Sequence, residues 1–285
     1  MPPRPQRKRK SIDFSIDLII ERLSAIAEIA LPDPLWAGSN APGCRKLLKK
    51  LREVNVHLAA LEDRLDDVLL PDSVFDLTNP ETIGEVIVYR LEQSEKVGLS
   101  SIKKFYGSGV YAFYYEGDLP AYGAIKKTNC PIYVGSASPK TPNAATPRLQ
   151  GTKLFGRINE HFKKSIKQSS NLDDHEFLCR FLVVQSGLEK AAEDFLIRRY
   201  SPVWNKESRV CSGIGKHGDI ARKELSAWDV LHGSRQWTAK QTSRQGRTPQ
   251  FVIDGIQKHF LALLAEDREK WTAIFADDWL AKNGC

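Results

Sequence analysis

Two short runs decide the fold: Gly109-Val110-Tyr111-Ala112-Phe113-Tyr114-Tyr115 and Pro131-Ile132-Tyr133-Val134-Gly135. Both are rich in aromatic and β-branched residues and are bounded by turn formers, the pattern of strands. Each sets a glycine close to a tyrosine. Two stretches with helical periodicity follow, Leu154 to Lys167 carrying Arg157 and His161, and Leu188 to Tyr200 carrying Glu193. The block closes on Pro202-Val203-Trp204-Asn205. Two tyrosines, an arginine, a histidine, a carboxylate and an asparagine are the parts needed to cut a phosphodiester. Whether they meet in space is a structural question.

The rest of the chain bounds the answer. Its 285 residues suffice for one large domain with extensions or two small ones. No apolar run approaches the roughly 20 residues that span a bilayer, and the basic N-terminus lacks the apolar segment of a secretory signal. The five cysteines (Cys44, Cys130, Cys179, Cys211, Cys285) are odd in number, far apart and without a CxxC pair. Neither a disulfide framework nor a zinc site is indicated, which fits a reducing cytoplasm.

Charge is unevenly distributed. Residues 1–10 hold five bases and no acid; residues 11–100 hold nine bases against 16 acids, a net of −7. Residues 101–250 hold 24 bases against 13 acids, a net of +11, and residues 251–285 hold four against six, a net of −2. The excess of base therefore coincides with the tyrosine, arginine and histidine block, an electrostatic footprint for a polyanion.

Flanking elements follow from the same reading. Residues 1–14 form a Pro-rich basic tail without periodicity. An amphipathic helix is predicted from Ser15 to Ala30, ended by Pro32 and Pro34. From Cys44 to Leu70 the apolar residues Leu47, Leu51, Val54, Leu58, Leu61, Leu65 and Val68 alternate steps of four and three, a heptad seam. That seam predicts a hairpin with the Ser15 helix, with a dimer-forming coiled coil as the alternative. A helix over Thr82 to Ser94 completes an N-terminal arm spanning 15–98. After the central block, a helix is predicted from Ala221 to Arg235, then, within 239–285, a basic linker over Lys240 to Arg247 and one or two closing helices over Phe251 to Phe275.

In the Leu154 helix, Arg157 and His161 are four apart and stack on one face at the margin of the stripe Leu154, Phe155, Ile158, Phe162 and Ile166. An arginine there offers a bidentate fork to phosphate oxygens. On the next helix Glu193 sits inside an apolar arc, costly unless paired or metal-bound; Glu189 shares its face, and spacing alone does not choose between them. Taken singly, Tyr111 and Tyr133 read as ordinary strand aromatics, and a phenol is a poor base unless nearby cations or an imidazole assist it. The set carries the chemistry.

Gly109-Val110-Tyr111 and Tyr133-Val134-Gly135 resemble the paired signature of the GIY-YIG nuclease superfamily. Gly156-Arg157-Ile158-Asn159-Glu160-His161 is similar to that family's catalytic helix. The run Glu193 to Asn205 is similar to its metal-site helix, with the twelve-residue spacing that selects Glu193 over Glu189. The Arg-x-x-x-His step, with FYGSGVYAFYYEGDLPAY, CPIYVGSA, NLDDHEFLCRFLVV and SAWDVLHGSR, resembles the type II restriction endonuclease branch over about Phe105 to Trp237. Two features depart from the pattern: 21 residues separate Tyr111 from Tyr133, and Ser136 stands where some relatives carry lysine.

The resemblance implies an α+β fold, a small antiparallel sheet flanked by helices within 99–238. It implies a Mg²⁺-dependent, site-specific endonuclease acting on double-stranded DNA as a homodimer in a bacterial cytoplasm. Its branch includes enzymes cutting the hexamer CCGCGG. Tyr111 would act as base or orienter of the attacking water, hydrogen-bonded to His161; Arg157 would grip the scissile phosphate and Tyr133 position it. Glu193 would hold the Mg²⁺, and Asn205 would brace the site. Arg148, Lys153, Lys163, Lys216, Arg222 and Arg235 are the candidate DNA contacts, the first two for base edges. A structure-specific repair or mobile-element nuclease, and a non-catalytic DNA-binding module, are the alternatives.

Overall fold

The computed structural model describes residues 17–25, 42–65, 79–215, 224–233, 235–238, 241–243 and 246–284. The chain divides into two units, Met1–Val74 and Phe75–Cys285. In the first, α1 covers residues 17–25 and α2 is Pro42–Leu65. The basic tail and the end of the heptad seam beyond Leu65 lie outside the described residues. Leu51, Val54, Leu58 and Leu61 of the seam are 36–42% exposed, so the hairpin expected of α1 and α2 is not a buried interface among the described residues.

The second unit opens with α3 (Pro80–Glu92), started by Asn79, whose side chain accepts from Glu81 N. Four strands follow: β1 (Val97–Gly98), β2 (Gly109–Tyr115), β3 (Tyr133–Ala137) and β4 (Phe177–Val183). They form one antiparallel sheet in the order β1-β4-β2-β3. All seven residues of β2 are buried, which explains why its sequence is continuously apolar and aromatic rather than alternating.

Both signature glycines are demanded by packing. Gly109 has φ +155°, and a Cβ there would lie 2.0 Å from the Leu182 carbonyl oxygen on β4. Gly135 pairs with Tyr111 across β2 and β3; a Cβ there would meet Tyr111 Oη at 2.4 Å. The tyrosine therefore lies over a glycine that leaves room for it.

The sheet is covered by α4 (Pro147–Gln150), α5 (Lys153–Lys164), α6 (Glu189–Tyr200) and the C-terminal elements. α5 buries Leu154, Ile158, His161 and Phe162, one stripe at helical spacing. α7 is only Ala227–His232, shorter than the helix predicted from Ala221 to Arg235. A capping box between Ser226 and Asp229 starts it, and Gly233 at φ +55° ends it. Over Phe251 to Phe275 the closing segment forms two helices, as expected, α8 (Pro249–Glu266) and α9 (Arg268–Thr272), and a third, α10 (Asp277–Lys282), follows beyond that stretch.

These helices belong to the same core. Val252, Ile256, Phe260, Trp271, Phe275 and Trp279 are buried, and Ala276 N donates to Ala124 O at 2.8 Å. The second unit thus takes in both α3 and the closing helices, across the boundaries drawn in the sequence at 98 and 238. No helix among the described residues is long and apolar enough to cross a membrane.

Candidate active site

Strands β2 and β3 and helix α5 bring Tyr111, Tyr133 and His161 into one aromatic cluster. Ring centroids lie 6.0 Å apart for Tyr111 and Tyr133, 6.1 Å for Tyr111 and His161, and 5.1 Å for Tyr133 and His161. Tyr111 Oη and His161 Nε2 are both buried without a hydrogen-bond partner. The Tyr111–His161 hydrogen bond expected from the sequence is therefore not closed. A buried polar atom without a partner costs about 1–3 kcal/mol, and such groups mark functional sites in otherwise satisfied interiors.

The electrostatics follow from burial. Desolvation, with the Tyr133 phenol adding to it, drives Tyr111 well above the usual tyrosine range against the pull of Arg157. Burial also raises Tyr133, with Arg157 opposing and Glu193 contributing. His161 is depressed to about 3 by burial and by the Arg157 cation. The imidazole is accordingly neutral at physiological pH and keeps a lone pair.

Arg157 stands one turn before His161 at the mouth of a cavity of about 220 Å³, lined also by Glu160, Lys164, Ile214 and Gly215. Its Nη1 is paired with Glu160 at 2.8 Å, a half-exposed ion pair that an incoming phosphate can displace. Glu160 was not singled out in the sequence, although its position three residues after Arg157 is the helical pairing distance.

The structure separates the two glutamates that spacing left open. Glu189 is fully enclosed and committed, accepting from Ser108 Oγ at 2.7 Å and Gly187 N at 2.8 Å. Glu193 is 17% exposed. Its Oε2 accepts from Ser136 Oγ at 2.8 Å and Lys190 Nζ at 3.3 Å, while Oε1 has no partner among the described residues. Ser136, the residue where some relatives carry lysine, thus orients this carboxylate.

Asn205 is buried and does not reach the cluster. Its Oδ1 accepts from Val134 N and its Nδ2 donates to Val134 O, both at 2.9 Å. It mimics a fifth strand on the open edge of β3 and fixes the strand that carries Tyr133. Its contacts are those of a positioning residue.

Among the candidate DNA contacts, Arg148 and Lys163 are exposed, and Lys153 is half-buried at the start of α5. Lys216 and Arg222 lie outside the described residues. Arg235 is a correction: it is 1% exposed and cannot meet DNA. Its Nε donates to Asp229 Oδ1 at 2.6 Å, Nη1 to Ile214 O at 2.8 Å and Ser165 Oγ at 3.2 Å, and Nη2 to Gly213 O at 2.9 Å. Its guanidinium also lies over Trp228 at 4.4 Å. Arg235 holds the segment that backs the site: a Cβ on Gly215 would lie 3.6 Å from Arg157 Nη2 and 3.7 Å from His161 Cε1.

No curated protein matches the chain. The Eco29kI GIY-YIG domain family matches residues 103–260, which take in β2, β3, β4, the helices bearing Arg157, His161 and Glu193, and the Arg235 anchor. One family's pattern thus runs through more than half of the chain, and the protein belongs to the Eco29kI GIY-YIG domain family of restriction-type nucleases.

Proposed function

We propose that this nuclease is a type II restriction endonuclease, hydrolysing a phosphodiester in each strand of double-stranded DNA at a specific palindromic site. The observation that carries the reading is the pair of orphaned buried atoms, Tyr111 Oη and His161 Nε2, beside the Arg157 guanidinium. A water entering this gap can donate to Tyr111 Oη while the phenol donates to the neutral imidazole. Tyr111 then orients the nucleophile and takes its proton at Oη as the phenolic proton passes to His161. Arg157, freed from Glu160, holds two oxygens of the scissile phosphate by its fork, and Tyr133 positions that phosphate.

Glu193 is the residue fitted to hold a divalent ion. A partly exposed carboxylate with one unshared oxygen, oriented by Ser136, suits Mg²⁺, which takes one or two carboxylates and completes its shell with water and substrate. When bound, Mg²⁺ supplies charge to the phosphoryl and leaving oxygens. One site per chain and two strands to cut call for a two-fold homodimer. Cys130, Cys179 and Cys211 are free and buried, in keeping with action in a reducing bacterial cytoplasm.

Incubation of plasmid DNA with the protein and Mg²⁺, and in parallel with chelator, tests the reading. Discrete fragments with Mg²⁺ alone are expected; their ends give the recognition sequence, CCGCGG if the resemblance extends to specificity. A smear or nicks would support a structure-specific nuclease instead, and intact DNA with retained binding would mean a non-catalytic module.

A further inference from the structure

Immediately before α5 the chain builds a platform that the phosphodiester chemistry does not use. α4 starts on Thr146, whose Oγ1 accepts from Leu149 N at 3.4 Å. Gln150 bolts it to the sheet: Oε1 accepts from Ser108 N at 2.8 Å and Nε2 donates to Val184 O at 2.9 Å. Gly107 N donates to Gly151 O at 2.7 Å, and Leu154 N to Gly107 O at 3.0 Å. The segment entering β2 and the loop entering α5 are therefore one fixed piece. Tyr111 lies three residues along from Ser108, and Arg157 one turn into α5.

What this piece displays does not suit bare solvent. Leu149 is 68% exposed and Tyr106 is 53% exposed. The Arg148 guanidinium lies 5.5 Å from the centre of the Tyr106 ring and makes no ion pair among the described residues. Residues 97–108 and 137–159 together hold Lys103, Lys104, Lys140, Arg148, Lys153 and Arg157 and no acid. Glu160, the next residue, pairs with Arg157, and an exposed leucine and tyrosine among the remaining bases fit a polyanion that also offers apolar and hydrogen-bonding edges. Duplex DNA does so in its grooves.

We propose that Tyr106, Arg148 and Leu149 form the base-reading element, with guanine in the major groove as the ligand of Arg148. The assignment rests on the endonuclease reading. Its place over the Tyr106 ring limits the rotamers of the guanidinium, which leaves its fork to donate to guanine O6 and N7 together. Leu149 covers the adjacent base edge, where a thymine methyl or cytosine C5 presents apolar surface. The surrounding lysines contact phosphates and carry no sequence information.

The test selects bound duplexes from a random-sequence pool with full-length protein, with calcium in place of magnesium. Affinities for selected and scrambled duplexes are then measured over a salt series for wild type, R148K, R148A and L149A. These side chains are exposed, so melting temperatures should stay near wild type and confirm folding. Wild type should enrich one motif. R148A should lose roughly 5- to 150-fold of the selected-to-scrambled affinity ratio, the worth of one bidentate base contact. R148K should keep the salt dependence without restoring that ratio. Equal weakening of both duplexes with a salt slope lower by about one would make Arg148 a phosphate contact and overturn the assignment. An unchanged motif and ratio would overturn it too, leaving the endonuclease reading intact. A wild type that binds no duplex would sink both.

Discussion

Replacing Arg235 by methionine removes the cation but keeps an unbranched side chain in the same space. It strands the Asp229 carboxylate, which is equally enclosed, and leaves the Gly213 and Ile214 carbonyls without the donors they now have at 2.9 and 2.8 Å. Breaking one partner of a buried ion pair costs about 3–5 kcal/mol, because the remaining charge has no compensation. For a unit of this size about 1 kcal/mol moves the melting temperature by about 2–4 °C, so R235M should lower it by about 6–20 °C. Adding D229N removes the stranded charge while leaving an acceptor for Ser226. The double variant should therefore recover about 1–2 kcal/mol relative to R235M. Urea denaturation of wild type, both single variants and the double variant gives the coupling. Strict additivity, or an R235M cost under about 1 kcal/mol, would refute the buried-pair reading and restore Arg235 as a candidate surface contact.

Three further outcomes follow from the same geometry. Gly135→Ala drives a methyl into Tyr111 Oη; it should cost about 1–3 kcal/mol by overpacking and abolish plasmid cleavage, and cleavage at the wild-type rate would contradict the placement of Tyr111. Lowering pH from 7 to 5 should destabilise the fold by about 2 kcal/mol for each of His161 and His232, both depressed to about 3. The unfolded chain takes up those protons first, so stability is full above about pH 6.5 and falls between there and pH 3; a urea midpoint unchanged between pH 7 and 5 would show that these histidines are not held neutral. Asn205→Ala should cost about 2 kcal/mol by releasing both bonds to Val134, and cleavage lost without any loss of stability would make Asn205 more than a brace.

The elements bearing Tyr111, Tyr133, Arg157 and Glu193 were legible because their periods are local: a continuous buried strand, and helices with one apolar stripe. No strand is read over Phe177–Val183 in the sequence, since its Cys-Arg pair interrupts both alternation and continuous apolarity. Glu189 and Glu193 could not be told apart by wheel position. What separates them is Ser108, 81 residues away from Glu189, and Ser136, 57 residues away from Glu193. Only the twelve-residue step to Asn205, taken with the family resemblance, favoured Glu193 beforehand. The carbonyl partners of Arg235 lie 21 and 22 residues back, and burial leaves no local trace in the sequence, so nothing near Arg235 tells a buried anchor from a DNA contact. The closing helices were split from the core for a similar reason. Their partners, such as Ala124 for Ala276, are remote in sequence.

The central claim is that Tyr111, Arg157, His161 and Glu193 serve one phosphodiester-cutting site. Plasmid cleavage and duplex binding by Glu193→Ala, measured side by side with wild type in Mg²⁺, test it most directly. Cleavage should fall by about 10³-fold or more, the worth of several kcal/mol of lost metal stabilisation, while duplex affinity stays within about threefold because the basic surface is untouched. Cleavage by E193A at the wild-type rate would contradict the account.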